Sequence, residues 1–208
     1  MQIGVRAKYN TDGSVSKYKA RLVAKGFHQT AGIDYSETFF PIVKSSTVRL
    51  ILNLAVMKSW KVRQIDVNNA FLNGDLSDDV YMIQPEGFMS KEGYICKLTK
   101  ALYGLKQAPK VWYDKLKSYL TAWKFFNSKA DTSLLGIIIV LIYVDDILVT
   151  GPDSALLEEF IIKLSKVFAL KDLGLVAYFL GVEVCYTAHG MHLSQTKYIK
   201  DLISKAST

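Results

Sequence analysis

Apolar positions along this chain recur with two spacings, and the switch between them predicts the elements. From Tyr18 to Phe27 (YKARLVAKGF) basic and apolar residues interleave, as on a strand. Ser45, Ser46 and Thr47 are N-cap candidates for a helix running to about Trp60, with Val48, Ile51, Leu52 and Ala55 on one face. Val62 to Phe71 reads as a strand that ends in the turn signal Asn73-Gly74-Asp75. Pro109 can open the next helix, because its missing N–H costs nothing in a first turn. Trp112, Leu116, Tyr119, Leu120 and Trp123 share that helix's apolar face. Gly136 to Val144 and Ile147 to Thr150 are two apolar runs separated by Asp145-Asp146 alone. Asp153 or Ser154 caps a third helix, in which Leu156, Leu157, Phe160, Ile161, Leu164 and Phe168 form the buried stripe. Val182 to Tyr186 and Met191 to Leu193 predict a hairpin around Ala188-His189-Gly190, and a last helix begins near Thr196. Strands and helices mix without regular βαβ alternation, which predicts an α+β fold with an antiparallel sheet packed on helices.

Half of the 208 residues are hydrophobic and 22% are charged, too apolar a chain for disorder and long enough for a sizeable core. Two cysteines, Cys96 and Cys185, exclude a disulfide scaffold and a four-cysteine zinc site, and their apolar contexts predict inert core positions. The longest apolar run, Leu134 to Val144, has 11 residues; a membrane-spanning helix needs about 20. Met1 to Tyr9 lack the apolar segment of a signal peptide. The expectation is an intracellular protein with reduced thiols and no membrane partner. The net charge of +7 is uneven: residues 1–63 carry +8, 64–90 carry −5, 91–131 carry +6 and 132–208 carry −2. Basic blocks around an acidic pocket suit an enzyme that handles a phosphate polymer with divalent metals. The plainer alternative is a soluble basic surface.

The acids that interrupt apolar runs are the candidate chemistry. Unpaired carboxylates are costly to bury, so Asp145 and Asp146 are both expected at the tip of a tight hairpin. Alternation in Gln64-Ile65-Asp66-Val67 puts Asp66 on the opposite face from Ile65 and Val67. A carboxylate from one strand and a pair from a neighbouring hairpin can bridge two Mg²⁺ ions, as phosphoryl transfer requires. Standing alone, Asp145-Asp146 would read first as an ordinary solvated turn, and the plain alternative for Asp66 is a surface acid at a strand end. In Leu98 to Lys110 (LTKALYGLKQAPK), Gly104 permits close backbone approach just before a helix start, with lysines nearby for phosphates. The three histidines, His28, His189 and His192, are scattered and predict no metal site.

Six blocks stand in order: YKARLVAKGFHQTAGIDYSETFFPIVKSSTVRLIL, QIDVNNAFLNGDL, VYMIQPEGF, KLTKALYGLKQAPKVWYDKL, LIYVDDILVTG and LKDLGLVAYFLGVEV. With them the chain resembles, over about 14 to 200, the reverse transcriptase domain of copia-type long-terminal-repeat retrotransposons, the RNA-dependent DNA polymerase of a Pol polyprotein. The resemblance implies a right-hand polymerase. Its fingers would be mainly 1–60 and about 77–105; its palm, with an RRM-like sheet, mainly 61–76 and 106–195. It implies two-metal transfer of deoxynucleoside triphosphates to a primer 3′-hydroxyl on RNA or DNA, with Mg²⁺ and Mn²⁺ as a substitute. Asp66, Asp145 and Asp146 match the catalytic acids and metal ligands, with Asp146 the more structural, and the Val67 carbonyl the backbone ligand. Phe71 matches the steric gate below the sugar, although a core aromatic is an equal reading. Tyr103, Gly104, Lys106 and Gln107 match the loop that contacts nucleotide and template. Lys19 and Arg21 match triphosphate-side residues and Lys25 a template-side one, all three on one strand face by alternation. Tyr143, Leu180 and Gly181 match primer or template contacts, the last two as a primer-grip hairpin. Lys171 is either a proton donor to pyrophosphate or a helix-end lysine, the second being preferred. Trp112 and Tyr119 are expected in the core. The expected setting is a cytoplasmic virus-like particle or the nucleus, beside the rest of a Pol polyprotein.

Some positions depart from the family. Asn68 stands where lysine is commoner, Lys110 where arginine is, and Phe40 replaces a small residue and could overpack its site. Asp131 to Ile137 is shorter than the family's stretch, so a strand beside the catalytic one is expected to be shortened. The chain is expected to be one truncated domain fragment, 1–208, without thumb, connection or ribonuclease H. The alternative is a catalytically inactive remnant that at most binds nucleic acid.

Overall fold

The computed structural model is mixed helix and strand, and its named strands pair antiparallel throughout. It describes residues 2–10, 12–38, 40–85, 87–89, 93–126, 138–188 and 190–206. In chain order the elements are β1 (Gln2–Tyr9), β2 (Val15–Val23), α1 (Ser45–Met57), β3 (Val62–Val67), β4 (Asp75–Ile83), β5 (Ile95–Lys100), α2 (Ala108–Ala122), β6 (Ile139–Tyr143), β7 (Asp146–Thr150), α3 (Ser154–Ser165), β8 (Leu170–Leu175), β9 (Tyr178–Phe179), β10 (Val182–Thr187), β11 (Gly190–Ser194) and α4 (Thr196–Ala206). Packing divides the chain into two units, one of residues 1–40 and 69–123 and the other of 41–68 and 124–208. These boundaries differ from the expected fingers and palm limits, since α1 falls in the second unit and α2 in the first. No helix among the described residues is long and apolar enough to cross a membrane.

The second unit is built on a four-stranded sheet of order β6-β7-β3-β8. Val62, Leu148 and Leu141 join α1's Val48, Ile51, Leu52 and Ala55, with Val176, Phe179 and Val184, in one core cluster. The alternate positions, Ile65, Val67, Ile147 and Val149, are buried as well. Burial on both sides is why β7 carries the unbroken apolar run Ile147-Leu148-Val149. The cap of α1 falls on Lys44, which makes no side-chain cap bond, so the Ser-Ser-Thr run lies inside the first turn. The cap of α3 is the expected one. Asp153 accepts from the Ala155 N–H (2.7 Å) and the Leu156 N–H (3.4 Å). The hairpin β10–β11 also forms, but Cys185 points outward and is exposed, because alternation after the buried Val184 turns it away from the core.

Several elements end earlier than expected, among them β2, which stops at Val23. β3 stops at Val67, because Asn69 takes a left-handed conformation (φ 50°) that ends the ladder. Residues 70–73 then form a 3-10 turn, and Phe71 is on that turn rather than on a strand. Likewise α3 stops at Ser165, so Lys171 is no helix-end lysine. It lies on β8, in register with Asp66. The shortening expected at 131–137 lies outside the described residues.

In the first unit β1 pairs with β2 and β4 with β5. Trp112, Leu116 and Leu120 bury one face of α2, while Tyr119 and Trp123 stay half-buried. Asp75 at the start of β4 pairs with Lys100 of β5 and with Lys115 of α2 (2.6 Å), and these lysines hold its carboxyl down to about 2. Phe40 meets Tyr113 edge-on at 5.8 Å, so the larger ring is accommodated. Lys110 pairs with Asp114 (2.6 Å) and Glu37 (3.5 Å).

Replacing Asp153 with alanine leaves two first-turn N–H groups of α3 without their acceptor. The cost is expected to be about 1 kcal/mol, measured as a lower urea midpoint at unchanged slope.

Candidate functional site

In the second unit, β6 and β7 are joined by a two-residue loop, Val144-Asp145, with Tyr143 opposite Asp146. The expected hairpin is therefore displaced by one residue. Only Asp145 is in the loop; Asp146 is the first residue of β7. The reason is the turn itself. Val144 takes φ 53° in its first position, and the ladder closes immediately behind Asp145. Asp146 is also in register with Asp66 of the neighbouring β3. Directly opposed residues of an antiparallel pair project from the same face. The Val67 N–H donates to the Asp145 carbonyl (2.8 Å), tying the loop to the end of β3. The sequence thus brings three acids, 66, 145 and 146, to one end of one sheet.

Asp146 is half-buried, and its surroundings oppose its charge. Burial pushes its carboxyl above the ordinary value, and the charges of Asp145 and Asp66 push the same way. The buried Gln64, two residues before Asp66 on the same face, donates a long bond to it (3.4 Å) and pulls partly back. The sequence reading overlooked Gln64, although its spacing from Asp66 was the signal. The donors are all hard oxygens, the set a divalent ion such as Mg²⁺ prefers. A cation beside Asp146 would offset the burial and the like charges that oppose its ionisation. Among the described residues, no three His, Cys, Asp or Glu side chains already converge on one point. The acids fit divalent ions in charge and in donor chemistry.

A groove of about 560 Å³ in the same unit collects Tyr143, Leu180 and Gly181. Leu180 and Gly181 form the β9–β10 turn, both in the left-handed region (φ 48° and 84°). Arg49 and Tyr198 also line the groove. Sequence reasoning missed them, since Arg49 lies off the apolar face of α1 and Tyr198 on a helix with no assigned role.

The remaining candidates belong to the first unit. The loop before α2 runs against the segment after β2. The Ala24 N–H donates to the Tyr103 carbonyl (2.7 Å), and a Cβ on Gly104 would lie 2.0 Å from the Ala24 carbonyl oxygen. Only glycine meets both that approach and φ 93°. Gln107 is 1% exposed, and its amide is already engaged. It accepts from Gln29 (3.0 Å) and donates to the Asp34 carbonyl (3.0 Å) and to Asp78 (3.3 Å). It therefore presents no free surface to a ligand, while Lys106 beside it is exposed. The Phe71 ring, 8% exposed, lies 4.5 Å from the Tyr103 ring, and the Arg21 guanidinium lies 5.1 Å over Tyr103. Arg21 and Lys19 both belong to β2; Lys25 is past the end of that strand. Lys25 instead lines a cleft of about 310 Å³ with His28 and Tyr81.

A family model described as reverse transcriptase (RNA-dependent DNA polymerase) matches residues 3–208. The chain is 53% identical over 208 residues to a retrovirus-related Pol polyprotein from transposon RE1 of Arabidopsis thaliana, covering 96% of this chain and 14% of that protein. It is 50% identical to the RE2 polyprotein of the same plant, with the same coverage. It is 42% identical over 211 residues to the polyprotein from transposon TNT 1-94 of Nicotiana tabacum, covering 96% of this chain and 16% of that protein. The chain thus spans about a seventh of the length of these curated relatives.

Two substitutions test this geometry. Asp146→Asn is expected to raise the melting temperature at pH 7, because a raised carboxyl contributes stability below its ordinary value of 3.8 and loses it as pH rises through the folded-state value. The gain should vanish in melts at pH 3. Gly104→Ala is expected to cost more than about 2 kcal/mol in denaturant unfolding, since backbone strain and backbone clash add.

Proposed function

Because the chain belongs to the reverse transcriptase (RNA-dependent DNA polymerase) family, we propose that it works as the polymerase core of a copia-type element. It extends a primer 3′-hydroxyl with deoxynucleoside triphosphates on an RNA or DNA template. The observation that carries this reading is the register that sets Asp66 opposite Asp146, with Asp145 in the adjoining loop. Acids at the edge of an apolar sheet have little structural use, and their mutual repulsion calls for cations.

The second unit then serves as the palm. Asp66 and Asp145 would hold two Mg²⁺ ions, with the Val67 carbonyl beside them. Asp146, tied to Gln64 and raised by burial, acts more on the shape of the site than on an ion. Bound Mg²⁺ would neutralise the triphosphate and lower the pKa of the attacking hydroxyl. The groove at Tyr143, Leu180 and Gly181 takes the primer strand, with Arg49 available to a phosphate. In the first unit Arg21 and Lys106 serve the phosphates, and Phe71 excludes a 2′-hydroxyl. Gln107 is a positioning residue, bracing the loop that carries Tyr103 and Lys106. Affinity for primer-template should come from phosphates and fall with salt.

The test is primer extension on an RNA template with Mg²⁺. Wild type should extend, and Asp66→Asn and Asp145→Asn should lose at least about a thousandfold, the scale of losing an essential charge at a phosphoryl-transfer centre. Mg²⁺ should also raise the melting temperature of the wild type and not of Asp66→Asn. A folded chain that binds RNA in a salt-sensitive way, yet neither extends primers nor responds to Mg²⁺, would support the inactive remnant instead.

A further inference from the structure

In the first unit, three side chains from three separate segments meet in a row. Arg21 comes from β2, Tyr103 from the loop before α2, and Phe71 from the 3-10 turn after β3. The guanidinium lies over the Tyr103 ring at 5.1 Å, and that ring lies 4.5 Å from Phe71 at 55°. The backbone of the middle residue is itself held in place. The Ala24 N–H holds its carbonyl, and Val23 and Tyr103 form a parallel bridge. The next residue is the glycine that lets the two backbones approach. Phe71 stands on one 3-10 turn, and Arg21 ends in an exposed flexible side chain.

We propose that Tyr103 is the positioning residue for sugar selection: its ring fixes Phe71 from one side and Arg21 from the other. The cation that meets the triphosphate and the ring that meets the sugar are thereby set at a constant separation. This rests on the reading of Phe71 and Arg21 given above. It differs from a direct nucleotide contact by Tyr103, because the work is done through two neighbours. An aromatic ring is required at 103, since the contact to Arg21 uses the face of the π-system and the contact to Phe71 uses ring packing. A branched aliphatic of similar bulk would fill the space without holding either partner.

The experiment compares wild type, Tyr103→Phe and Tyr103→Leu, each shown to melt cooperatively. Two readouts are taken: the ratio of kcat/KM for dGTP over GTP in primer extension, and the ratio of their equilibrium affinities with Ca²⁺ as the ion. Tyr103→Phe should keep both ratios within about twofold, and Tyr103→Leu should lower both by about tenfold, the size of one ring pair and one cation–ring contact together. The loss should fall more on the dGTP-over-GTP ratio than on the dGTP kcat, which a merely structural defect would not produce. If the wild type discriminates and Tyr103→Leu discriminates equally, the inference is overturned and the reading of Phe71 stands. If the wild type shows no preference in either readout, the reading of Phe71 falls, and the inference with it.

Discussion

The site of the second unit depends on one register, that of β3 on β7, which sets Asp66 opposite Asp146. The strands that carry them are hydrogen-bonded into a sheet in which Val62, Ile65, Val67, Ile147, Leu148 and Val149 are buried. Burial of the sheet supplies the favourable free energy, and the register then dictates where the acids stand. A slip of one residue between β3 and β7 would send Asp66 to the opposite face from Asp146. The apolar residues therefore do more than stabilise: they fix the alignment of the charges. The ion pair of Arg63 with Asp172 adds a second lock on the β8 side, where the ladder shifts register between Gln64 and Ile65.

The first unit solves a different problem. Its loop before α2 must run close to the segment after β2, and two glycines remove the side chains that would forbid it. Gln107 then satisfies polar groups that the close packing has removed from water. The amide is costly to bury unless every partner is present. The same bonds that make burial tolerable also fix the loop in one conformation.

Much of this was legible from the residues, and what was not has particular causes. The faces of α1, α2 and α3, the cap at Asp153 and the β10–β11 hairpin follow from periodicity and cap chemistry. The family followed from six ordered blocks. The placement of Asp146 did not, because periodicity cannot say which two residues of Tyr-Val-Asp-Asp form a loop; the backbone of Val144 decides it. The end of β3 was hidden because Asn69 is compatible with a strand until its left-handed conformation is seen. Lys171 read as a helix end because the pattern of α3 continues to Phe168, which is buried but beyond the helix. Gln107 read as a ligand contact because nothing local shows that Gln29, Asp34 and Asp78 converge on it from distant segments. Long-range pairing, rather than local propensity, is what a single sequence conceals.

That same non-locality has a cost during synthesis. Gln64 and Asp146 are 82 residues apart, and the strands flanking β3 are both encoded after α2. When β3 leaves the ribosome, neither of its hydrogen-bonding neighbours exists, and its apolar side chains have no sheet to enter. At about 5 to 20 residues per second, that interval lasts several seconds. The nascent chain must keep a short, sticky, unpaired strand in solution until β7 and β8 arrive. Slow translation or a dense polysome would therefore favour association between neighbouring nascent chains over folding.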